Sequence, residues 1–133
     1  MIPMKTELEL FNYLKTQYYP DLLKQENQYS LFDCTSEIEK EFIELKCRFK
    51  HYNDLMIEKS KYERICNLAS KYGYSPIYIN STPLGIYKFC LSGNKKDWTN
   101  GLCPATTQFG NTEKIIKEVG YLPIQKSITL HTF

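Results

Sequence analysis

Residues 29–50 read YSLFDCTSEIEKEFIELKCRFK, and the rest of the chain is best read outward from them. From Ile43 the residues alternate strictly, with Ile43, Leu45, Cys47 and Phe49 on one side and Glu44, Lys46, Arg48 and Lys50 on the other. This is the period of a half-buried strand. Ahead of it, Tyr29 to Asp33 reads as a short strand that Asp33 ends, followed by a polar turn. Paired antiparallel as a hairpin, the two strands bring Asp33 to the face that Glu44 and Lys46 share. The pattern predicts an aspartate, a glutamate and a lysine around one point.

That trio has a chemical logic. Two carboxylates a few ångströms apart repel, which raises one pKa unless a cation sits between them, and hard oxygen ligands with room for waters suit Mg²⁺. A lysine beside such an ion can orient or help deprotonate a bound water, while the ion lowers that water's pKa and neutralises charge on a phosphate. Hydrolysis of a phosphodiester fits this set of groups.

Asp33 followed on a second strand by Glu44-Leu45-Lys46 resembles the PD-(D/E)XK, or restriction-endonuclease-like, nuclease superfamily. The motif is short, and its context adds weight: apolar strand, acid, turn, alternating strand with E-x-K, then an amphipathic helix. Phe32 stands where the superfamily's name has proline. Two C-terminal phrases, CPATTQFGN and KEVGYLPI, are similar to small uncharacterised bacteriophage or algal-virus proteins of that superfamily. The resemblance implies an α/β fold with a restriction-endonuclease-like αββαββ core, a mixed sheet flanked by helices. It implies Asp33, Glu44 and Lys46 as catalytic residues. Asp33, Glu44 and the Leu45 carbonyl would be ligands of Mg²⁺ or Mn²⁺. The implied partner is nucleic acid, with DNA favoured.

The 133 residues make one domain (1–133), large enough for a single core. No stretch approaches about 18 apolar residues, and the N-terminus has neither a basic region nor an apolar signal core, so no membrane partner is expected. The expected location is the cytoplasm, that of an infected host cell on the viral resemblance, with the virion as the other location. The five cysteines are odd in number and lack C-x-x-C spacing, which argues against a disulfide framework and a structural zinc site. A net charge of +2 is too small to prove a nucleic-acid partner, although a bound cation supplies local positive charge. The oligomeric state is open, a dimer included.

Thr6 and Glu9 fit a capping box, and Leu10, Phe11, Leu14 and Tyr18 continue a helix from Glu7 to Tyr18 until Pro20 stops it. Glu7 falls near the inward face. In the resembling superfamily an acid on such a helix sometimes joins the metal site, while acids in a first turn are also favoured by the helix dipole alone. Asp21 to Gln28 reads as a loop or a helical turn. Arg48, Lys50 and His51 extend the positive line on the Glu44 face, either as phosphate contacts or as a solvated strand end.

A helix capped by Asn53 or Asp54 runs to Tyr72 with Gly73 as its stop, and Leu55, Tyr62, Ile65, Cys66, Leu68, Ala69 and Tyr72 form its inward stripe. Glu58 falls on that stripe. Its spacing to Tyr62 resembles the Q-x-x-x-Y helix of exonuclease-like members, which makes Glu58, Lys61 and Tyr62, with Arg48, candidates for phosphate contacts or for supporting the site. A structural ion pair of Glu58 with Lys61 or Arg48 is the alternative. Ser75–Asn80 and Ile86–Leu91 read as strands joined by a turn.

Ser92 to Asn100, with Lys95, Lys96 and Trp98, reads as a loop that either lies against DNA or is anchored by its tryptophan. Thr106, Thr107 and Gln108 offer polar donors, a short helix is predicted from Asn111 or Thr112 to Val119 with Gly120 ending it, and SITLHTF reads as an edge strand or a tail. The leading expectation is a metal-dependent nuclease. The alternative is a catalytically inactive nucleic-acid-binding or virion structural module that keeps the nuclease-like fold.

Overall fold

The computed structural model describes residues 2–25, 33–105 and 113–133. Residues 29–32 with the Phe32 position, the donors at 106–108 and the expected helix cap at Asn111 or Thr112 lie outside the described residues. The elements run α1 (Glu7–Gln17), β1 (Leu23–Lys24), β2 (Cys34–Ser36), β3 (Glu41–Cys47), β4 (Asp54–Glu58), α2 (Lys59–Tyr72), β5 (Ser75–Thr82), β6 (Gly85–Cys90), β7 (Thr99–Pro104), β8 (Lys114–Pro123) and β9 (Ile128–Thr132). A mixed six-stranded sheet has the order β1-β2-β3-β5-β6-β9, and a small sheet has the order β4-β8-β7. β3 and β5 pair in parallel, so the chain must cross over between them, and β4 with α2 makes that crossover.

α1 begins as its sequence requires: the Thr6 side chain accepts from Glu9 N, and Glu9 accepts from Lys5 N. It buries Leu10 and Leu14 against Ile43, Leu45, Ile77 and Ile79 on one face of the large sheet. α2 covers the other face, where Tyr62, Ile65 and Ala69 meet Phe42, Tyr78, Tyr87 and Phe89. Gly73 ends α2 at φ 72°, a left-handed cap that glycine adopts without strain. Tyr87 and Phe89 share the buried face of β6 as their alternation predicts.

Several elements differ from the sequence reading. The segment expected to open the second helix is strand β4. Leu55 and Ile57 alternate, both are buried, and each pairs with β8, so the helix starts only at Lys59. The helix expected to end at Val119 is strand β8, held between β4 and β7, and its Ile115, Ile116 and Val119 are β-branched. Gly120 marks a close approach rather than a helix end, since a Cβ there would run into Lys95 Cε and meet the Trp98 ring at 2.9 Å.

Leu23–Lys24 is a short strand, and SITLHTF is an edge strand on β6. β2 follows Asp33 instead of ending at it, with the turn at residues 37–40. β3 stops at Cys47, which leaves Phe49 79% exposed rather than on an apolar face. All five cysteines are free, and Cys34 and Cys103 are buried.

Candidate active site

β2 and β3 pair with Cys34 opposite Ile43, and Asp33 N donates to the Ile43 carbonyl as the last contact of that ladder. Leu45 N–H donates to Asp33 Oδ2 at 2.7 Å. The Asp33 carbonyl accepts from Gln25 N at 2.8 Å. Backbone bonds on both sides thus fix the aspartate, and its second carboxylate oxygen is left for other work. Because carbonyls two residues apart on a strand point the same way, the Leu45 carbonyl is directed like that of Ile43, toward the edge where Asp33 sits.

Glu44 meets Asp33 there. Burial, followed by the Asp33 charge, pushes the Glu44 pKa up to about 8. Burial also raises Asp33, against the lowering effects of the Leu45 N–H and of the Lys61 and Lys24 charges. The repulsion that raises the Glu44 pKa is what a hard cation between the two groups would relieve. Glu7 on α1 faces the same spot: burial and then Asp33 raise its pKa, while Lys46, Lys61 and Lys24 act in the opposite sense. Among the described residues no three His, Cys, Asp or Glu side chains form a metal-holding set. Asp33, Glu44 and the Leu45 carbonyl are hard oxygen donors that could hold a cation such as Mg²⁺ or Mn²⁺ with waters completing the shell.

Two small clefts flank this point and share Leu45. One, of about 60 Å³, is lined by Glu7, Leu8, Phe11, Lys24, Asp33 and Leu45. The other, of about 40 Å³, is lined by Glu44, Lys46, Glu58, Lys61 and Tyr78 among others. Lys46 stands half-buried beside Glu44 and lowers the pKa values of both Glu44 and Glu7. Lys61 Nζ lies 3.9 Å from Glu44 Oε1 and 3.6 Å from Glu58 Oε2. Burial works against the Lys61 charge, but Glu44 and Glu58 outweigh it and raise the pKa. Glu58 is the last residue of β4, and its Oε1 pairs with Lys117 of β8 at 2.8 Å. Burial opposes its ionisation, yet Lys117 and Lys61 hold its pKa below the usual carboxylate range.

Two candidates have other tasks. Arg48 is turned inward: Nε donates to Asn80 Oδ1 at 2.8 Å, and Nη2 donates to the Met56 carbonyl and to Tyr78 Oη. Tyr78 donates to the same Met56 carbonyl at 3.0 Å. Arg48 thus ties β4 to the large sheet through Nε and Nη2, a supporting contact beside the site. Tyr62 is 3% exposed, and its hydroxyl accepts from Gly93 N at 3.0 Å and Lys95 N at 3.3 Å. It pins the loop after β6, away from Glu44. Trp98 packs edge-on against Tyr62 at 5.2 Å and donates Nε1–H to the Lys95 carbonyl, so it anchors the loop.

Sequence reasoning missed Lys117, Lys24, Tyr78 and Asn80. The β-branched run at Ile115 and Ile116 was the available sign that Lys117 lies on a strand. His51 is occupied with Thr82, 2.8 Å from Nδ1 to Oγ1.

A mixed sheet flanked by helices, with its acidic cluster on the β2–β3 hairpin and the parallel β3–β5 pair beside it, is a restriction-endonuclease-like nuclease fold. The chain matches no protein-family model and no curated protein. It is similar in structure to Hjc, a Holliday junction resolvase from the archaeal hyperthermophile Archaeoglobus fulgidus, with a TM-score of 0.59. The match is 13% identical in sequence and covers 93% of this chain and 88% of that one.

Proposed function

We propose that the protein is a divalent-metal-dependent nuclease that hydrolyses phosphodiester bonds of DNA. The observation that carries this reading is the bond from Leu45 N–H to Asp33 Oδ2 at 2.7 Å, which holds the half-buried Asp33 carboxylate against the residue next to Glu44, near enough for its charge to raise the Glu44 pKa. Like charges are seldom placed so close in a half-buried site unless a cation is to lie between them. Asp33, Glu44 and the Leu45 carbonyl hold Mg²⁺ or Mn²⁺ in this reading. The ion, when bound, supplies an activated water and neutralises charge on the phosphate.

The chain's own residues do the rest. Lys46, the cation beside Glu44 on the same strand face, orients the attacking water and offsets charge growing on the phosphate. Glu7 and Lys24 border the Asp33 side of the cleft and Glu58 and Lys61 the Glu44 side, so the charges around the carboxyl pair nearly balance before a cation enters. The likeness to a Holliday junction resolvase favours DNA and puts branched DNA among the first substrates to try. The resemblance of CPATTQFGN and KEVGYLPI to viral proteins supports a viral setting, in the cytoplasm of an infected cell.

The test is incubation of the purified protein with Mg²⁺ or Mn²⁺ and labelled single-stranded, duplex and four-way-junction DNA, with RNA of matched sequence alongside. Cleavage that needs the ion and disappears in Asp33→Ala is the expected result. Equal cleavage by Asp33→Ala overturns the assignment of the site, and cleavage of none of these by the parent overturns the reading in favour of a nuclease-like module that binds without turnover.

A further inference from the structure

Lys61 sits in the first turn of α2, where the helix dipole disfavours a cation. Its side chain is 39% exposed, and its ammonium spans Glu44 at 3.9 Å and Glu58 at 3.6 Å. Both distances exceed those of the neighbouring ion pairs, 2.8 Å for Lys117 with Glu58 and 3.0 Å for Lys88 with Glu41. Those two have the length of charge-assisted hydrogen bonds. Lys61 is therefore held by the charge of two carboxylates without being fastened to either. A third observation concerns the far side of Glu58: Lys117 already binds its other oxygen, so Glu58 stays in place whether or not Lys61 is near.

We propose that Lys61 is the stand-in cation of Glu44, an ammonium that the protein keeps on this carboxylate until a divalent ion takes it, after which Lys61 remains with Glu58 alone. The proposal rests on the reading of Asp33 and Glu44 as ligands. A divalent ion bound to a Glu44 oxygen lies about 2.1 Å from it, and two cations on one half-buried carboxylate repel with little screening. Lys61 has a second carboxylate at i−3 on its own helical turn and a flexible four-carbon stem, so the exchange needs no backbone movement. By linkage, whatever Lys61 contributes to the cation-free protein is subtracted from the affinity for the ion. Lys61 is thus a positioning residue whose effect is read in binding and stability, apart from turnover.

The experiment is calorimetric titration of Mn²⁺ into the parent, Lys61→Met, Lys61→Gln, Lys61→Arg, Lys117→Met and Asp33→Ala, with thermal melts of each in EDTA and in saturating Mn²⁺. Lys61→Met and Lys61→Gln are expected to bind Mn²⁺ about tenfold more tightly than the parent. They should melt lower in EDTA and gain more on adding Mn²⁺, while Lys61→Arg behaves as the parent does. Lys117→Met removes the same charge from a position paired with Glu58 and not with Glu44 among the described residues, and its affinity should change by less than about threefold. The exchange is overturned if both neutral Lys61 variants bind Mn²⁺ no more tightly than the parent, or if Lys117→Met tightens binding as much as they do. The two readings fail separately: Mn²⁺ binding lost in Asp33→Ala but unmoved by Lys61 sinks the exchange alone, whereas a parent that binds no Mn²⁺ sinks both.

Discussion

Glu41 and Glu44 lie three residues apart on β3, on opposite faces of the large sheet, with side chains 11% and 15% exposed. Glu41 has everything a buried carboxylate needs. The Tyr19 hydroxyl donates to one oxygen at 2.7 Å, and Lys88 donates to the other at 3.0 Å. Glu44 has the charge of a second carboxyl group, Asp33, acting on it and a lysine at 3.9 Å. Burial is nearly the same at the two sites, so burial does not distinguish them; what differs is whether the charge is answered within the protein. A satisfied carboxylate is a structural joint, here between the segment after α1, β3 and β6. An unanswered one stores a demand for a ligand.

The largest expected effect separates these two roles directly. Glu44→Gln should lower cleavage by at least about 10³-fold at little cost in stability, because it removes a charge that the fold does not satisfy. Glu41→Gln should leave the activity of the folded fraction intact and lose about 3 kcal/mol, the usual consequence of stranding one partner of a buried pair. Single-turnover cleavage run beside urea unfolding reads both, and a Glu41 variant that folds well but does not cleave would break the contrast. Next in size is Lys46→Ala, for which a rate loss of about 10² to 10³ is expected with Mn²⁺ affinity largely kept. Asp33→Ala should lose both, so Mn²⁺ titration beside the cleavage assay tells the water-positioning group from the ligand.

A smaller effect follows from protons. In the cation-free folded protein burial and then the Asp33 charge push the Glu44 pKa up to about 8, from about 4.3 for a glutamate in the unfolded chain. Between those values the folded state binds more protons than the unfolded chain, so stability must fall as pH rises and level off above about 8. Mn²⁺ takes the place of the proton, so its apparent affinity should climb through the same window and the slope of stability should flatten. Melting temperatures across that range in EDTA would refute this if they rose with pH. The smallest effect is expected from Tyr62→Phe, which should cost about 1 kcal/mol and loosen the loop after β6, seen as faster amide exchange at Gly93 and Lys95. Cleavage by this variant should match the parent if Tyr62 has no part in the site.

The hairpin was legible in the sequence because its signal is local. Alternation from Ile43 places Glu44 and Lys46 together, and strand pairing close in sequence delivers Asp33. The small sheet was not legible for the opposite reason. Leu55 and Ile57 belong to a strand only because β8, far along the chain, pairs with them, and the same residues also fit a helical stripe. Losing β8 meant losing Lys117, and with it the pair that fixes Glu58. Arg48 was placed on the correct face, but the Asn80, Tyr78 and Met56 groups that enclose it come from two other strands, and no spacing within 29–50 records them.

The bond from Leu45 N–H to Asp33 Oδ2 has a practical consequence. An amide proton that points at a carboxylate changes its resonance frequency when that carboxylate gains a proton or a metal ion. Leu45 is consequently an intrinsic gauge of the site, readable in a ¹⁵N-labelled sample with no nucleic acid present. With diamagnetic Mg²⁺, the movement of this one peak would follow occupancy at Asp33 directly, before any bond is cut.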